Sequence, residues 1–236
     1  MITVPSPLAW QDYYSEQSRR CKDLRLKKFF EAGVIEPETP LNEVPFVALD
    51  FETTGLNPQE HGIVSAGMVP FTLARIRCRK ASHFIVKPRQ TLLSESVTIH
   101  GITHSDVQSA PDLDDVLHDF LPKLAKKIVV VHYRQIERNF LNLALLTRIQ
   151  EQLFFPVVDT MVLEQKILRK QRSVISSLLG RRSTLSLRLP DIRERYGLPR
   201  YHLHHAMTDA LATAELLQAQ VAHHVDEKTP ISQLWC

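Results

Sequence analysis

The stretch Phe46-Val47-Ala48-Leu49-Asp50-Phe51-Glu52-Thr53-Thr54-Gly55-Leu56 decides the fold. Four apolar residues, Phe46 to Leu49, read as a buried β-strand. Asp50 and Glu52 follow two apart. Side chains on a strand alternate faces, so both carboxylates point the same way. Thr53-Thr54-Gly55 breaks the strand, with Gly55 read as the supplier of turn freedom. Paired carboxylates where a hydrophobic strand surfaces suit a hard divalent cation, which takes oxygen ligands. Two solvated acids at a strand end would look the same from this stretch alone.

The totals bound the answer. The 236 residues make one large domain or a domain with an appendage. The 44% hydrophobic content suits a globule with a sizeable core. No apolar run approaches the ~20 residues of a membrane span, and Met1 to Tyr14 lacks a basic-then-apolar leader pattern. Cys21, Cys78 and Cys236 lie far apart with no C-x-x-C spacing, which argues against a disulfide framework or zinc site and for a reducing, cytoplasmic setting. The net charge of +3 says little by itself.

Outward from the opening strand, the N-terminal side reads as a helical extension and linker over residues 1–40, a single helix from Pro7 to about residue 32. Trp10, Tyr13, Tyr14, Leu24, Phe29 and Phe30 are its apolar candidates. Arg19, Arg20, Lys22, Arg25, Lys27 and Lys28 form a basic run, either a solvated face or a phosphate-contacting arm. Gly33 closes the helix.

On the other side, 63–73 and 74–86 read as two further strands that complete a three-stranded meander. Residues 94–101 read as a short helix. Ser109-Ala110-Pro111-Asp112 starts another, with Pro122 expected to bend it or end it early. Ile128 to Val131 is a near-continuous apolar strand of the parallel, doubly covered kind. A helix from about Gln135 to Gln150 carries Ile136, Phe140, Leu143 and Leu146 at helical spacing. Residues 156–160 make a short strand, and a helix follows. The alternation argues for an α/β fold. Residues 166–200 turn basic, with Asp191 and Glu194 as the only acids after Lys166, which reads as a polyanion footprint or a solubilising surface. Within that stretch, 173–183 reads as a loop and 185–196 as a helix closed by Gly197. The last helix spans 206–224, and 225–236 reads as a C-terminal tail. The main domain is then 41–224.

Two more acids stand at element boundaries. Glu137 lies in the first turn of the helix after the Ile128–Val131 strand, and Asp209 at the start of the last helix. Helix dipoles favour such acids for structural reasons alone, but both helices start where open α/β sheets carry their sites.

At this point the chain resembles the DEDDh-type 3′–5′ exonucleases of the DnaQ-like group, the family of the polymerase proofreading subunit, ribonuclease T and oligoribonuclease. The resemblance covers about Val44 to Ala222. Asp50 to Leu56 matches D-x-E-T-T-G-L. His204-His205-Ala206-Met207-Thr208-Asp209-Ala210 matches H-x-A-x-x-D-A. Ile99 to Thr103 resembles I-H-G-I-T, and Asp159-Thr160 a D-T strand end. The family's H-N-x-x-F-D departs here to His132-Tyr133-Arg134-Gln135-Ile136-Glu137, so Tyr133 replaces asparagine and the third acid is Glu137.

The resemblance implies a ribonuclease H-like mixed sheet, a three-stranded antiparallel meander plus parallel strands, flanked by helices. It implies that Asp50, Glu52 and Asp209 hold metal directly, that Glu137 reaches it through water, and that His204 is the general base. Thr53, Thr54, Gly55 and Leu56 would grip the terminal nucleotide. His100 would lie near the substrate, or be a satisfied helix-end histidine. Two unit charges ~5 Å apart repel by about 3 kcal/mol at an effective dielectric near 20, so four carboxylates need cations. All-oxygen ligation points to Mg²⁺ or Mn²⁺, two ions per site. The expected partner is nucleic acid with a free 3′ end, single-stranded DNA first and RNA or short oligonucleotides as the alternative. A polymerase or other protein partner fits the family, and no membrane is implied. A catalytically silent nucleic-acid-binding module of the same fold is the reading from another class.

Overall fold

The computed structural model describes residues 9–89, 101–175, 185–202 and 204–236. Its centre is a six-stranded mixed sheet: β1 (Phe46–Thr53), β2 (Ile63–Thr72), β3 (Arg75–Ile76), β4 (Ser82–Ile85), β5 (Ile128–Val131) and β6 (Val157–Asp159), in the order β3-β2-β1-β5-β6. β4 lies off this path and pairs with β2 alongside β3. β1 runs antiparallel to β2 and parallel to β5, and β5 runs parallel to β6. Sheets covered on both faces need near-continuous apolar strands. Accordingly Phe46 to Leu49 and Ile128 to Val131 are buried throughout.

The helices are α1 (Trp10–Arg20), α2 (Leu24–Glu31), α3 (His104–Gln108), α4 (Leu113–Leu124), α5 (Gln135–Ile149), α6 (Thr160–Ile175), α7 (Leu189–Arg195) and α8 (Ala206–His224). The two faces of the sheet have different covers. On one, Phe51 of β1 stacks on Phe120 of α4 with ring centroids 6.3 Å apart. On the other, α8 passes so close to β2 that a Cβ at Gly67 would lie 2.2 Å from the Ala206 carbonyl oxygen. Gly67 is the register partner of Asp50. A glycine on β2 therefore lets the start of α8 sit directly over the acid-bearing part of β1.

Several expectations are corrected. The meander's third strand is interrupted by a 3₁₀ turn, Cys78–Lys80, so it is two short strands. The N-terminal helix is two helices, broken at Asp23, whose carboxylate accepts from the Arg25 and Leu26 N–H groups as an N-cap. Leu24, in the first turn after that cap, is 71% exposed and not a core residue. Trp10, Tyr14, Phe29 and Phe30 are buried in the same core as β1 and β5, so residues 10–31 pack as part of the globule. α4 continues through Pro122 to Leu124; the proline forfeits the bond its N–H would make to the His118 carbonyl, but only two helical residues follow for a bend to displace. The buried stripe of α5 is Glu137, Arg138, Phe140, Leu141 and Leu145, while Leu146 is exposed. α7 starts at Leu189, with Pro190 in its first turn, after an extended approach. α6 continues to Ile175, into the stretch read as a loop. The helix expected at 94–101, with His100, falls largely outside the described residues, as does most of the loop expected at 173–183.

Residues 225–236 do not hang free. The main chains of Val157 and Cys236 bond to each other in both directions, at 3.2 and 2.9 Å, and Trp235 is 3% exposed. Trp235 also bridges antiparallel to Val158, so the segment extends the sheet beyond β6.

Candidate active site

β1 delivers the first two acids. Its pairing with β2 is regular until a shift between Glu52 and Thr53, where the strand leaves the sheet. Such irregularities re-aim side chains beside sites. The following loop is closed by its own polar groups. The Thr54 N–H donates to the Gly62 carbonyl at 2.9 Å, and the Gly62 N–H donates to Thr54 Oγ1 at 3.0 Å. Thr53 Oγ1 donates to the Gly55 carbonyl at 2.7 Å. A Cβ at Gly55 would fall 2.4 Å from the His61 ring. A side chain at Gly55 would have to displace the His61 ring, and Gly55 is not among the positive-φ residues that turn freedom would have implied. Leu56, at the tip, is 81% exposed.

α8 delivers Asp209 in its first turn, where Ala206 meets Gly67. Ligand oxygens of Asp50, Glu52 and Asp209 all lie within 4.8 Å of one another. His204 is exposed and has a left-handed backbone, φ 66°. Its N–H donates to Asp209 Oδ2 at 2.8 Å. The same carboxylate thereby fixes an otherwise unfavourable conformation. The neighbouring His205 lies against His83 of β4, ring centroids 4.9 Å apart, and His83 Nε2 is 2.8 Å from Ser65 Oγ.

α5 delivers Glu137, 2% exposed. Its placement depends on a residue the sequence reading noted without a role. Asp159, buried at the end of β6, accepts from the Tyr133 and Arg134 N–H groups at 3.2 and 3.0 Å and from Arg134 Nη1 at 3.2 Å. It also caps α6 through the Met161 and Val162 N–H groups. One carboxylate therefore holds the segment that leads into α5 and caps the first turn of α6. An Asp-Thr pair between a strand and a helix was the available signal. Tyr133 has φ 78° and is 42% exposed. Asparagine tolerates that left-handed region far better than tyrosine. His132 is structural: burial holds it below the usual imidazole range, its Nε2–H donates to the Leu187 carbonyl, and Nδ1 pairs with Thr160 Oγ1.

The electrostatics are those of acids without countercharge. Burial, then Glu137, Asp209 and Glu52, push Asp50 well above the carboxylate range. Burial and Asp209 push Glu52 up to about 8. Burial raises Asp209 against the opposing pull of the His204 N–H, and raises Glu137 well above its ordinary value. Asp209 Oδ1 and Glu137 Oε2 are buried with no hydrogen-bond partner. Orphaned carboxylate oxygens in an all-oxygen cluster fit a hard divalent cation, which would replace the missing donors and remove the repulsion.

The basic stretch 166–200 looks different in three dimensions. Arg193 pairs with Glu215 at 2.8 Å, Arg195 with Glu164 at 3.0 Å and Arg200 with Glu194 at 2.5 Å. The fold supplies Glu164 of α6 and Glu215 of α8, so Arg193 and Arg195 brace α7, while Arg200 meets Glu194 on the surface.

The fold is a mixed α/β sheet with three acids gathered at the end of β1 and a fourth, Glu137, acting electrostatically on Asp50. The family model described as an exonuclease (the RNase T family) matches residues 47–217, and the chain belongs to this family. The DNA polymerase III PolC-type of Thermotoga maritima is 28% identical over 182 residues, which are 77% of this chain and 12% of that protein. The DNA polymerase III subunit epsilon of Treponema pallidum is 28% identical over 184 residues, 78% of this chain and 80% of that one. Among solved structures, the nuclease domain of 3′hExo, a DEDDh family member bound to rAMP, shares the fold with a TM-score of 0.63 at 16% identity, over 77% of this chain and 94% of that one. The chain thus spans about an eighth of the PolC-type relative. No described helix is long and apolar enough to cross a membrane.

Proposed function

We propose that the chain is a metal-dependent 3′–5′ exonuclease that hydrolyses the terminal phosphodiester of nucleic acid, single-stranded DNA first, and releases 5′-mononucleotides. The observation that carries this is the convergence of Asp50, Glu52 and Asp209 oxygens within 4.8 Å in a chain of the exonuclease family. Asp50, Glu52 and Asp209 would hold Mg²⁺ or Mn²⁺ directly, with Glu137 behind them. Two such ions would supply Lewis acidity at the phosphate and at the attacking water. His204, outside the cluster but tethered to Asp209, would take the proton from that water, and His204→Gln should lower kcat by about 10²–10⁴-fold. Thr53, Thr54, Gly55 and Leu56 would hold the terminal nucleotide, the exposed Leu56 meeting its base. His100 remains a candidate substrate contact. Polymerase III relatives support a polymerase or other protein partner, and the rAMP-bound relative supports RNA as the alternative substrate.

The test is degradation of a 5′-labelled single-stranded DNA beside RNA of the same sequence, with Mg²⁺, Mn²⁺ or chelator, and with Asp50→Ala/Glu52→Ala. The expected result is a metal-dependent ladder shortening from the 3′ end that the double variant lacks. Oligonucleotide binding without a ladder in either metal would instead favour a silent binding module, with Glu137 as the first residue to change to aspartate.

A further inference from the structure

A second charged surface lies on the opposite face of the sheet from the four acids. Between the Cys78–Lys80 turn and the end of α4 is a cleft of about 580 Å³ whose charged lining is Arg79, Lys80, Lys123 and Lys127, with no acid. Its floor is apolar, formed by Val47, Met68, Pro70 and Pro122. Arg75, Arg77 and Lys126 flank it in sequence. None of these seven cations makes an ion pair among the described residues. That contrasts with α7, whose arginines are matched one by one. Lys123 leans over the Phe84 ring at 6.0 Å, and Lys127 Nζ has only the Ala125 carbonyl, at 3.4 Å. Burial and the neighbouring Lys123 push the Lys127 ammonium below its usual range, the mark of positive charge that the protein leaves uncompensated. In a chain of net charge +3, four unmatched cations lining one cleft focus a positive potential.

The cleft is also close to the site. β4 is a thin edge strand with one side toward each. His83 touches His205 beside the acids, while Phe84 packs on Phe120 of α4. Ala81 and Ser82, one and two residues before His83, line the cleft. At ~3.3 Å per residue along the strand, the backbone of Ala81 lies within about 7 Å of that of His83.

We propose that this cleft binds backbone phosphates of the nucleic acid substrate a few nucleotides inward from the 3′ end, as the chain rounds the β4 edge. The identity of the polyanion rests on the exonuclease reading above. An apolar floor under a ring of cations suits a sugar–phosphate backbone with bases laid against the floor, and it reads no sequence.

The experiment is anisotropy of a 5′-labelled 20-nucleotide single-stranded DNA titrated with the full chain in chelator, across a salt series. Arg79→Ala/Lys80→Ala/Lys123→Ala should weaken binding at low salt by about tenfold or more and reduce the slope of log K against log salt by about 2. Arg79→Glu/Lys80→Glu, both exposed on the turn, should weaken it further and serves if the triple variant folds poorly. With metal present, the ratio of KM for the 20-mer to KM for a trinucleotide should rise for both variants. Unaltered Kd and salt slope would overturn the proposal. Poly-glutamate of equal charge displacing the DNA from wild type but not from the variants would overturn it too, in favour of an acidic protein partner. Binding in chelator does not depend on cleavage, so a wild-type protein without nuclease activity would sink the exonuclease reading and leave this test standing.

Discussion

Asp50 must carry negative charge where burial and three other acids oppose it. Glu52, pushed up to about 8, keeps its proton through neutral pH in the cation-free site, and the carboxyls of Asp50, Asp209 and Glu137 are raised beside it. The consequence for stability has a definite sign. These folded-state values lie above the unfolded ones, so between the two the folded state binds more protons. Stability of the metal-free protein is then full below the ordinary carboxylate range and falls as pH rises toward about 8, the value reached by Glu52. Thermal melts in chelator should show Tm dropping from pH 5 to pH 8, by an amount equivalent to about 2–5 kcal/mol. Mg²⁺ or Mn²⁺ should restore Tm most at the alkaline end. For the same reason Asp50→Asn should raise the metal-free Tm at pH 8 while lowering kcat at least about 10³-fold, ~4 kcal/mol of barrier. A fall in Tm for that variant at pH 8 would show that Asp50 is stabilised there by something other than a cation.

At the scale of elements, the site depends on how closely α8 approaches β2. Gly67→Ala would place a methyl inside the Ala206 backbone. It should destabilise the protein by at least ~1–3 kcal/mol and, by displacing Asp209, lower kcat more than it raises KM, as steady-state kinetics would read. Much of this arrangement was legible beforehand. Asp50 and Glu52 are readable because strand alternation puts i and i+2 on one face, and the long helix 206–224 because it is an Ala- and Leu-rich run with no glycine or proline. What was illegible involves long-range pairing. Nothing local distinguishes Gly67 from any strand glycine, or reveals that Glu164 and Glu215 would reach Arg195 and Arg193. Asp159 looked like a strand end because its work, holding the turn before α5 and capping α6, is visible only once β5 and β6 are side by side. Leu146 misled because α5 is buried along Phe140, Leu141 and Leu145, a stripe turned away from the one the spacing suggested.

For the whole molecule, the two terminal segments meet on one residue. Arg138, next to Glu137 on α5, stacks over Trp10 at 5.8 Å and donates to the main-chain oxygens of Phe155 and Cys236. The residue behind a site acid therefore ties α1, the β6 approach and the last strand segment together. Trp235→Ala should cost about 3–5 kcal/mol, a Tm loss of roughly 6–20 °C, and a loss confined to a frayed terminus of under 1 °C would show that residues 229–236 contribute no core. The pairing of Cys236 with Val157 has a further consequence. Without it, β6 would present a bare row of amide and carbonyl groups at the border of the sheet, a template onto which another molecule's strand could add. Shortened forms of this chain should therefore be recognised first by aggregation and exchanged-strand dimers, before any change in how they cut.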